Sequence, residues 1–196
     1  MGRPKKDEAR KEEILEAFER CVIREGVTGT TLQKVANEAN LPRSLVRYFV
    51  GNRDQMVELL ITRVIARASI PLQEFSPDNT EHSLSELLDF LFDGAFKNNT
   101  ANGVVDRLWE LANTDDEVKN ALVGMYSALR THIEKAMKTE GVGATSFQRS
   151  NTAQLLLSLA YGEASFAHLG MSSGKKGSSR QLAELVITQL SSTKGQ

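Results

Sequence analysis

The sequence has a single cysteine, Cys21, so no disulfide bond can form within its 196 residues. It also lacks a run of 18 apolar residues and a charged-then-apolar start, so we predict neither a membrane span nor export. Cys21 shares the apolar stripe of the first predicted helix with Phe18 and Val22, which favours a buried thiol over a redox sensor. These absences predict a cytoplasmic protein, because thiols stay reduced there.

Recognisable catalytic and metal-binding patterns are missing as well. His82, His132 and His168 are scattered, with no His-x-x-x-His or Cys-x-x-Cys spacing, so no metal site is predicted. There is no Gly-x-Ser-x-Gly elbow, phosphate-binding loop or Cys/His signature. We therefore predict that the protein is not an enzyme and needs no cofactor.

Charge is distributed unevenly along the chain. The net charge is only -1, but residues 1–67 carry 13 basic and 10 acidic side chains, whereas residues 68–196 carry 11 and 15. The N-terminal third is therefore net positive and the remainder net negative. This distribution favours an N-terminal domain that approaches phosphate.

Residues 30–54 predict a helix-turn-helix. Thr30 and Gln33 have the spacing of a capping box, and Leu32, Val35, Ala36 and Ala39 follow with helical period. Asn40 tolerates a left-handed conformation, and Pro42 suits the start of a new helix but cannot continue the old one. We therefore place the corner at residues 40–42.

The second helix of this motif has two distinct faces. At about 100° per residue, one arc carries Arg43, Ser44, Arg47 and Tyr48, and the opposite arc carries Leu45, Val46, Phe49 and Val50. Two guanidinium groups, a hydroxyl and a phenol suit guanine edges and phosphates in a major groove. We interpret this helix as a recognition helix, although the same motif also occurs in proteins that do not bind DNA.

The motif resembles the TetR (tetracycline repressor) family of bacterial transcription regulators. Thr30-Thr31 with Val35-Ala36 resembles the family's T-T-x-x-x-I-A segment, and residues 48–54, YFVGNRD, resemble its Y-H-F-x-S/N-K-E segment. The match runs without gaps from about residue 14 to residue 60. Asn40 replaces the usual corner glycine, Arg53 a lysine, and Phe49 a more common histidine or tyrosine. Phe49 cannot donate the hydrogen bond that a histidine would supply there.

The resemblance and the charge pattern together give a set of candidate DNA-binding residues. Arg53 is expected to hold a phosphate at a helix N-terminus. The segment MGRPKK is read as a flexible basic arm that reaches DNA, or alternatively as a solvated terminus. The candidates are Arg43, Ser44, Leu45, Arg47, Tyr48, Phe49, Thr30, Thr31, Arg53, Arg3, Lys5 and Lys6.

The whole chain reads as all-α, with about nine helices. The first helix is expected to start at Asp7 and stop at Gly26, and the fourth to run from Asn52 to about Ser69, where Pro71 interrupts it. Further helices are predicted at about 81–98, 103–113, 115–139, 146–169 and 179–193. We expect a three-helix DNA-binding domain at 1–52 and a helical effector-binding and dimerisation domain at 53–196, linked by the fourth helix.

The last two helices carry apolar stripes that favour a homodimer, although such stripes also occur in an ordinary core. By resemblance, these helices pair with their copies in a second subunit as a four-helix bundle. The candidate interface residues are Leu155, Leu159, Leu182, Leu185, Val186 and Leu190.

Regulators that resemble this chain bind a small molecule in the C-terminal domain. The candidate lining residues are Trp109, Phe90, Phe96, Met125, Tyr126, Leu129, His132, Tyr161 and Phe166, and Trp109 is the preferred wall. Most aromatic side chains at helical spacing belong to a core, which is the competing interpretation. No effector, operator or regulated gene can be named from the sequence.

The sequence thus predicts a ligand-responsive transcriptional regulator, more often a repressor in proteins of this kind. Its partners would be a double-stranded DNA operator, a small-molecule effector and a second copy of the chain, with no membrane. An alternative keeps DNA binding but makes the C-terminal half a docking module for another protein. An enclosed apolar cavity favours the first hypothesis, and a filled core with an exposed apolar patch favours the second.

Overall fold

The structure, a computed structural model, describes residues 3–74, 83–95, 99–171 and 178–192. These residues form nine α-helices and one π-helical segment, and no strand, which confirms the predicted all-α class. The helices are α1 (Arg3–Gly29), α2 (Leu32–Glu38), α3 (Arg43–Val50), α4 (Arg53–Glu74), α5 (Leu84–Asp89), α6 (Asn99–Leu111), α7 (Asp116–Thr139), α8 (Ser146–His168) and α9 (Ser178–Ser192), and the π-helical segment is Phe90–Ala95.

Side-chain caps explain where many helices begin. Asn52 and Gln55 exchange hydrogen bonds at the start of α4, which confirms the capping box predicted there. The Asp115 carboxylate accepts from the Val118 amide at 3.1 Å and so caps α7, as the sequence indicated. Reciprocal boxes at Ser83–Glu86 and Thr145–Gln148 begin α5 and α8.

Three sequence predictions about helix bounds are corrected. Helix α1 begins at Arg3 rather than Asp7, so residues 3–6 are helical and not a flexible arm. Helix α4 continues through Pro71 to its end at Glu74; the proline lacks an amide donor, which removes one intrahelical hydrogen bond, and the other bonds of this 22-residue helix remain. The single helix expected at 81–98 is instead α5 followed by the π-helical segment. The predicted stop at Gly26 is confirmed, because Gly26 interrupts α1 with φ 75°.

The described chain divides into two compact units by its contacts. The first comprises residues 1–67 and 100–123, and the second comprises residues 68–99 and 124–196, so α4 and α7 each contribute to both. This division by contacts differs from the functional boundary expected at 52/53, which stays a prediction.

The first unit has an apolar core and a buried ion-pair network. Phe18, Cys21, Val35 and Val46 are fully buried, which confirms the buried thiol, and burial raises the pKa of Cys21. The network consists of Glu12 and Glu19 of α1 with Arg63 and Arg67 of α4. The Glu19 carboxylate, 3% exposed, accepts from Arg63 Nε at 2.7 Å and from Arg67 Nη1 at 2.8 Å, and Arg63 also pairs with Glu12.

The second unit is built around one apolar cluster. Its buried members come from α5, the π-helical segment, α7, α8 and α9, and include Leu87, Leu91, Ile133, Leu156 and Ala183. Arg180 of α9 donates to Asp89 at 2.5 Å and also pairs with Glu184. These contacts fix α9 against α5 within this unit.

Candidate nucleic-acid interface

The corner between α2 and α3 has the predicted geometry. Asn40 adopts the left-handed conformation, with φ 53°, and the Leu41 amide donates to the Ala36 carbonyl at 2.9 Å, which closes the C-terminus of α2. Pro42 is the N-cap of α3, and its carbonyl accepts from the Leu45 and Val46 amides. The corner therefore sets a fixed direction for α3.

Helix α3 presents the two faces expected from the sequence. Arg43, Ser44, Arg47 and Tyr48 are exposed, whereas Val46 and Val50 are buried. Leu45 and Phe49 are half-buried between the two faces. The hydrophilic side of the candidate recognition helix is therefore open to a partner.

Arg43 and Arg47 differ from the other arginines in their lack of intramolecular partners. Every other arginine whose side chain the structure describes donates a hydrogen bond or forms an ion pair within the molecule. Across the described ranges, Arg43 and Arg47 do neither. Two cations on one exposed helical face, without carboxylates to neutralise them, form a surface suited to an anionic partner.

Tyr48 and Phe49 form an aromatic pair at the end of α3. Their ring centroids lie 5.1 Å apart at an interplanar angle of 85°, an edge-to-face arrangement. The Tyr48 side chain is 77% exposed, whereas Phe49 is half-buried. Phe49 thus packs against the Tyr48 ring. This contact does not require the hydrogen-bond donor that a histidine would supply at position 49.

The start of α2 corrects the predicted capping box. Thr31, not Thr30, is the N-cap, and its hydroxyl accepts from the Lys34 amide at 3.3 Å. Thr30 is 0% exposed, and its hydroxyl donates to the Gly26 carbonyl at 2.8 Å. The Thr30 side chain therefore binds the end of α1 and is not accessible on the candidate contact surface. Thr31 is exposed on that surface.

Ion pairs hold α2 against α1. The Glu38 carboxylate accepts from Arg20 Nε at 2.8 Å and from Arg24 Nη1 at 3.1 Å, and Lys34 pairs with Glu25. The hydrogen bonds from Arg20 and Arg24 lower the pKa of Glu38, and the hydrogen bond from Lys34 lowers the pKa of Glu25. These pairs stabilise the helix that supports α3.

The lowered pKa of Glu38 predicts a pH-dependent contribution to stability. A carboxyl group whose pKa is lower in the folded state stabilises the fold above its ordinary value of 4.5, and this stabilisation is lost as the pH falls through the folded value. Urea unfolding should therefore show Glu38→Gln less stable than the parent at pH 7, with the difference vanishing well below pH 4.5. Glu16→Gln, at an exposed position of α1, is the control and should be about as stable as the parent at pH 7. A pH-independent difference for Glu38→Gln would contradict the assignment.

The remaining candidate DNA-binding residues differ in their exposure and in their contacts within the molecule. Arg53 is half-exposed, and its Nη2 donates to the Val27 carbonyl at 3.2 Å, so it also ties the start of α4 to the end of α1. Lys6 is exposed on α1, while the side chains of Arg3 and Lys5 lie outside the described part of the chain. Their contacts with DNA stay predictions.

An open groove beside α3 was not anticipated from the sequence. It has a volume of about 360 Å³ and is lined by Phe49, Val50, Gly51, Gln55, Glu58, Leu59 and Thr62. Residues 55, 58, 59 and 62 share one face of α4 by their spacing, but every helix has such a face, so the sequence alone does not indicate a groove. The groove belongs to the first unit and adjoins the C-terminal end of the candidate recognition helix.

The structure brings together only some of the candidate effector residues. In the second unit, Leu129 belongs to the apolar cluster, and Phe90 and Tyr126 pack against it. Trp109 belongs to the first unit and is half-exposed, Phe166 is exposed, and Phe96 lies outside the described residues. Met125 is buried, Tyr161 is half-buried, and His132 Nδ1 lies 2.8 Å from the carbonyl oxygen of Ala128 on its own helix. Binding of an effector by this set stays a prediction.

The candidate dimer residues divide into an exposed and a packed group. Leu155, Leu182 and Leu185 are 44%, 53% and 64% exposed. Leu159 and Leu190 pack against the apolar cluster, and Val186 is half-buried. Three large apolar side chains on α8 and α9 thus face outward in the single chain.

Two negative findings apply to the described residues. Every helix among them is too short or too polar to span a lipid bilayer. No group of three or more histidine, cysteine, aspartate or glutamate side chains among them is arranged to hold a metal ion.

Comparison with solved structures identifies the fold. A TetR transcription regulator from Haloarcula marismortui matches with a TM-score of 0.73 and 16% identity, over 93% of this chain and 98% of that chain. A TetR-family member from Streptomyces coelicolor matches with a TM-score of 0.67 and 16% identity, over 91% and 98%. GusR from Salmonella enterica matches with a TM-score of 0.69 and 16% identity, over 92% and 96%. The chain therefore has the fold of TetR-family transcription regulators, as the sequence resemblance implied.

No protein-family model matches the sequence, and no curated protein matches it significantly. The fold is thus established by shape at low sequence identity, and the function has to be argued from the residues themselves.

Proposed function

We propose that this protein is a TetR-family transcription regulator that binds operator DNA through α3 and works as a homodimer in the cytoplasm. The observation that carries this proposal is the exposed face of α3, where Arg43 and Arg47 have no intramolecular partner within the described residues. Exposed guanidinium groups that no carboxylate neutralises give this face a positive potential, which attracts an anionic partner. A major groove supplies both phosphates and guanine edges to such a face.

We further propose that a small molecule bound in the C-terminal half releases the protein from DNA, so that it acts as a repressor. Contacts within the first unit support a route for this coupling. Arg107 of α6 donates to the Ile23 carbonyl at 3.2 Å, and a Cβ at Gly103 would lie 3.3 Å from the Ile23 side chain. Helix α6, which carries Trp109, therefore touches the end of α1, and a ligand that moves α6 has a direct path to the DNA-binding helices.

A second candidate function is favoured by an exposed apolar patch. Phe166, Leu169 and Met171 are all more than half exposed at the end of α8, and the Met171 amide donates to the Phe166 carbonyl, which keeps them close together. Such a patch suits a protein partner better than a solvated surface. In this alternative the C-terminal half docks another protein and has no small-molecule effector.

Selection of bound duplexes from random DNA at one fixed salt concentration tests the proposal. We expect enrichment of a two-fold symmetric motif with half-sites about one helical turn, or a multiple of it, apart. A compound library should then contain molecules that release the enriched duplex. Recovery of random sequence alone would overturn the DNA-binding proposal. Enrichment without any releasing compound, together with loss of regulation in Phe166→Ser/Leu169→Ser, would favour the protein-docking alternative.

A further inference from the structure

The composition of α3 limits the bases that it can read. Base pairs present distinct patterns in the major groove, and bidentate recognition pairs Arg or Lys with guanine, Asn or Gln with adenine, and Asp or Glu with cytosine. The α3 sequence, RSLVRYFV, contains two arginines but no Asn, Gln, Asp or Glu. Arginine is therefore the one side-chain type on this helix that can form a bidentate contact with a base.

The neighbouring helix α2 carries amide side chains, but the first helix of a helix-turn-helix crosses the DNA backbone and does not enter the groove. Gln33 and Asn37 are the amides on the exposed side of α2, and Gln33 Nε2 donates to Asn37 Oδ1 at 2.9 Å. Glu38 is held by Arg20 and Arg24. Base reading by the described helix-turn-helix thus depends mainly on the two unpaired guanidinium groups of α3.

The positions of the arginines set the distance between the bases that they reach. Arg43 and Arg47 are four residues apart on one exposed face, a separation of about 6 Å along the helix axis. Base pairs in B-form DNA rise about 3.4 Å per step, so these two positions lie no more than about two steps apart when the helix follows the groove, and side chains that extend in parallel reach bases at that spacing. Both guanidinium forks are free to align with base edges because no carboxylate in the described chain holds them.

On this basis, and resting on the proposed DNA-binding function, we infer that each operator half-site contains two guanines no more than two base-pair steps apart, one read by Arg43 and the other by Arg47. The apolar edge of α3, where Leu45 is half-buried, carries no hydrogen-bonding group. Specificity at the other contacted positions then comes from single hydrogen bonds of Ser44 or Tyr48, from shape, or from apolar contact with thymine methyl groups.

Selected duplexes and lysine variants test this inference. In the selected duplex, replacing either guanine with 7-deazaguanine removes the N7 acceptor and should weaken binding by roughly tenfold or more. Arg43→Lys and Arg47→Lys keep the charge and can still contact guanine, but they replace a rigid planar fork with a flexible point charge, so each should lose roughly tenfold preference for one of the two guanines. Binding to random duplex and its salt dependence should be unchanged in both variants.

Arg130→Lys is the matched control, because its i,i+4 pair with Glu134 in α7 is one that lysine can also form. It should keep both preferences. The inference would be overturned if the selected half-sites lacked two guanines within three consecutive base pairs. It would also be overturned if both lysine variants kept the parent's preference for these guanines. The 7-deazaguanine measurement uses the parent protein, so it decides the matter even if a variant fails to fold. Failure to select any motif would instead overturn the proposed DNA-binding function.

Discussion

Replacing Glu19 with glutamine should lower the free energy of unfolding by about 3 to 5 kcal/mol, which is the usual cost of removing one partner from a buried ion pair. Glu19 is almost completely buried, and its carboxylate bonds to both Arg63 and Arg67. Its removal leaves the Arg63 guanidinium, itself 9% exposed, without its inner partner. Burial lowers the pKa of Arg63, whereas Glu12 and Glu19 raise it above its ordinary value. An arginine side chain is not deprotonated in proteins, so the guanidinium keeps its charge in the variant.

Glu12→Gln provides the matched control for this measurement. Glu12 pairs with the same Arg63, but its side chain is 54% exposed, and an exposed ion pair contributes about 0 to 1 kcal/mol. Urea unfolding followed by circular dichroism should therefore separate the two variants clearly. If both variants lose the same free energy of unfolding, the burial of Glu19 does not explain the loss of stability.

A compensating variant sharpens the same prediction. Glu19→Leu/Arg63→Met removes both buried charges and fills the space with apolar atoms, an exchange that is often neutral or stabilising. We expect the double variant to be more stable than Glu19→Gln. If the double variant is less stable than Glu19→Gln, the ion pairs themselves stabilise the fold, and the cost of leaving a buried charge without a partner does not explain the loss in Glu19→Gln.

Local features of the DNA-binding part could be predicted well from the sequence. The left-handed Asn40, the start of α3 after Pro42 and the outward Arg43 and Arg47 all follow from rules that act within a few residues. The Asn52 cap of α4 follows from the same kind of rule. Such features need no knowledge of the tertiary structure.

The errors arose where local chemistry offered equivalent choices. Thr30 and Thr31 carry the same hydroxyl group, so local chemistry does not distinguish them as caps of α2. Because α1 is interrupted at Gly26, the Thr30 hydroxyl donates to the Gly26 carbonyl, and Thr31 caps α2 instead. The spacing from Thr30 to Gln33 therefore predicted a capping box that is one residue out of register. Similarly, no local rule showed that α4 would continue through Pro71.

Long-range pairs lay beyond sequence reasoning altogether. Glu19 and Arg63 are 44 residues apart, and many other charged pairs satisfy the same composition and helical spacing. The groove beside Phe49 likewise requires α3 and α4 to be placed before it exists. The same holds for effector candidates such as Phe90 and Tyr126, which pack against the apolar cluster. The sequence pattern of an aromatic residue at helical spacing is the same in a core and in a binding pocket, so it does not distinguish the two.

Leu182→Glu/Leu185→Glu should prevent association of the proposed homodimer and leave a monomer. Both leucines of α9 are more than half exposed in the single chain, so glutamate at these positions remains solvated and the fold should persist. In a two-fold interface each substitution occurs twice, and four buried carboxylates would oppose association. Sedimentation equilibrium should show the monomer mass, with unchanged helical content.

The same variant should bind a complete operator at least about a hundredfold more weakly than the parent, because a monomer loses the effective concentration that links two half-sites. Its affinity for an isolated half-site should be unchanged, since α3 is not altered. Val123→Glu is the control, because Val123 is also an exposed apolar residue, 56% exposed on α7, but lies outside the candidate interface. A dimer that survives the α9 substitutions would place the interface elsewhere, and a monomer with parental operator affinity would show that a single recognition helix is enough for binding.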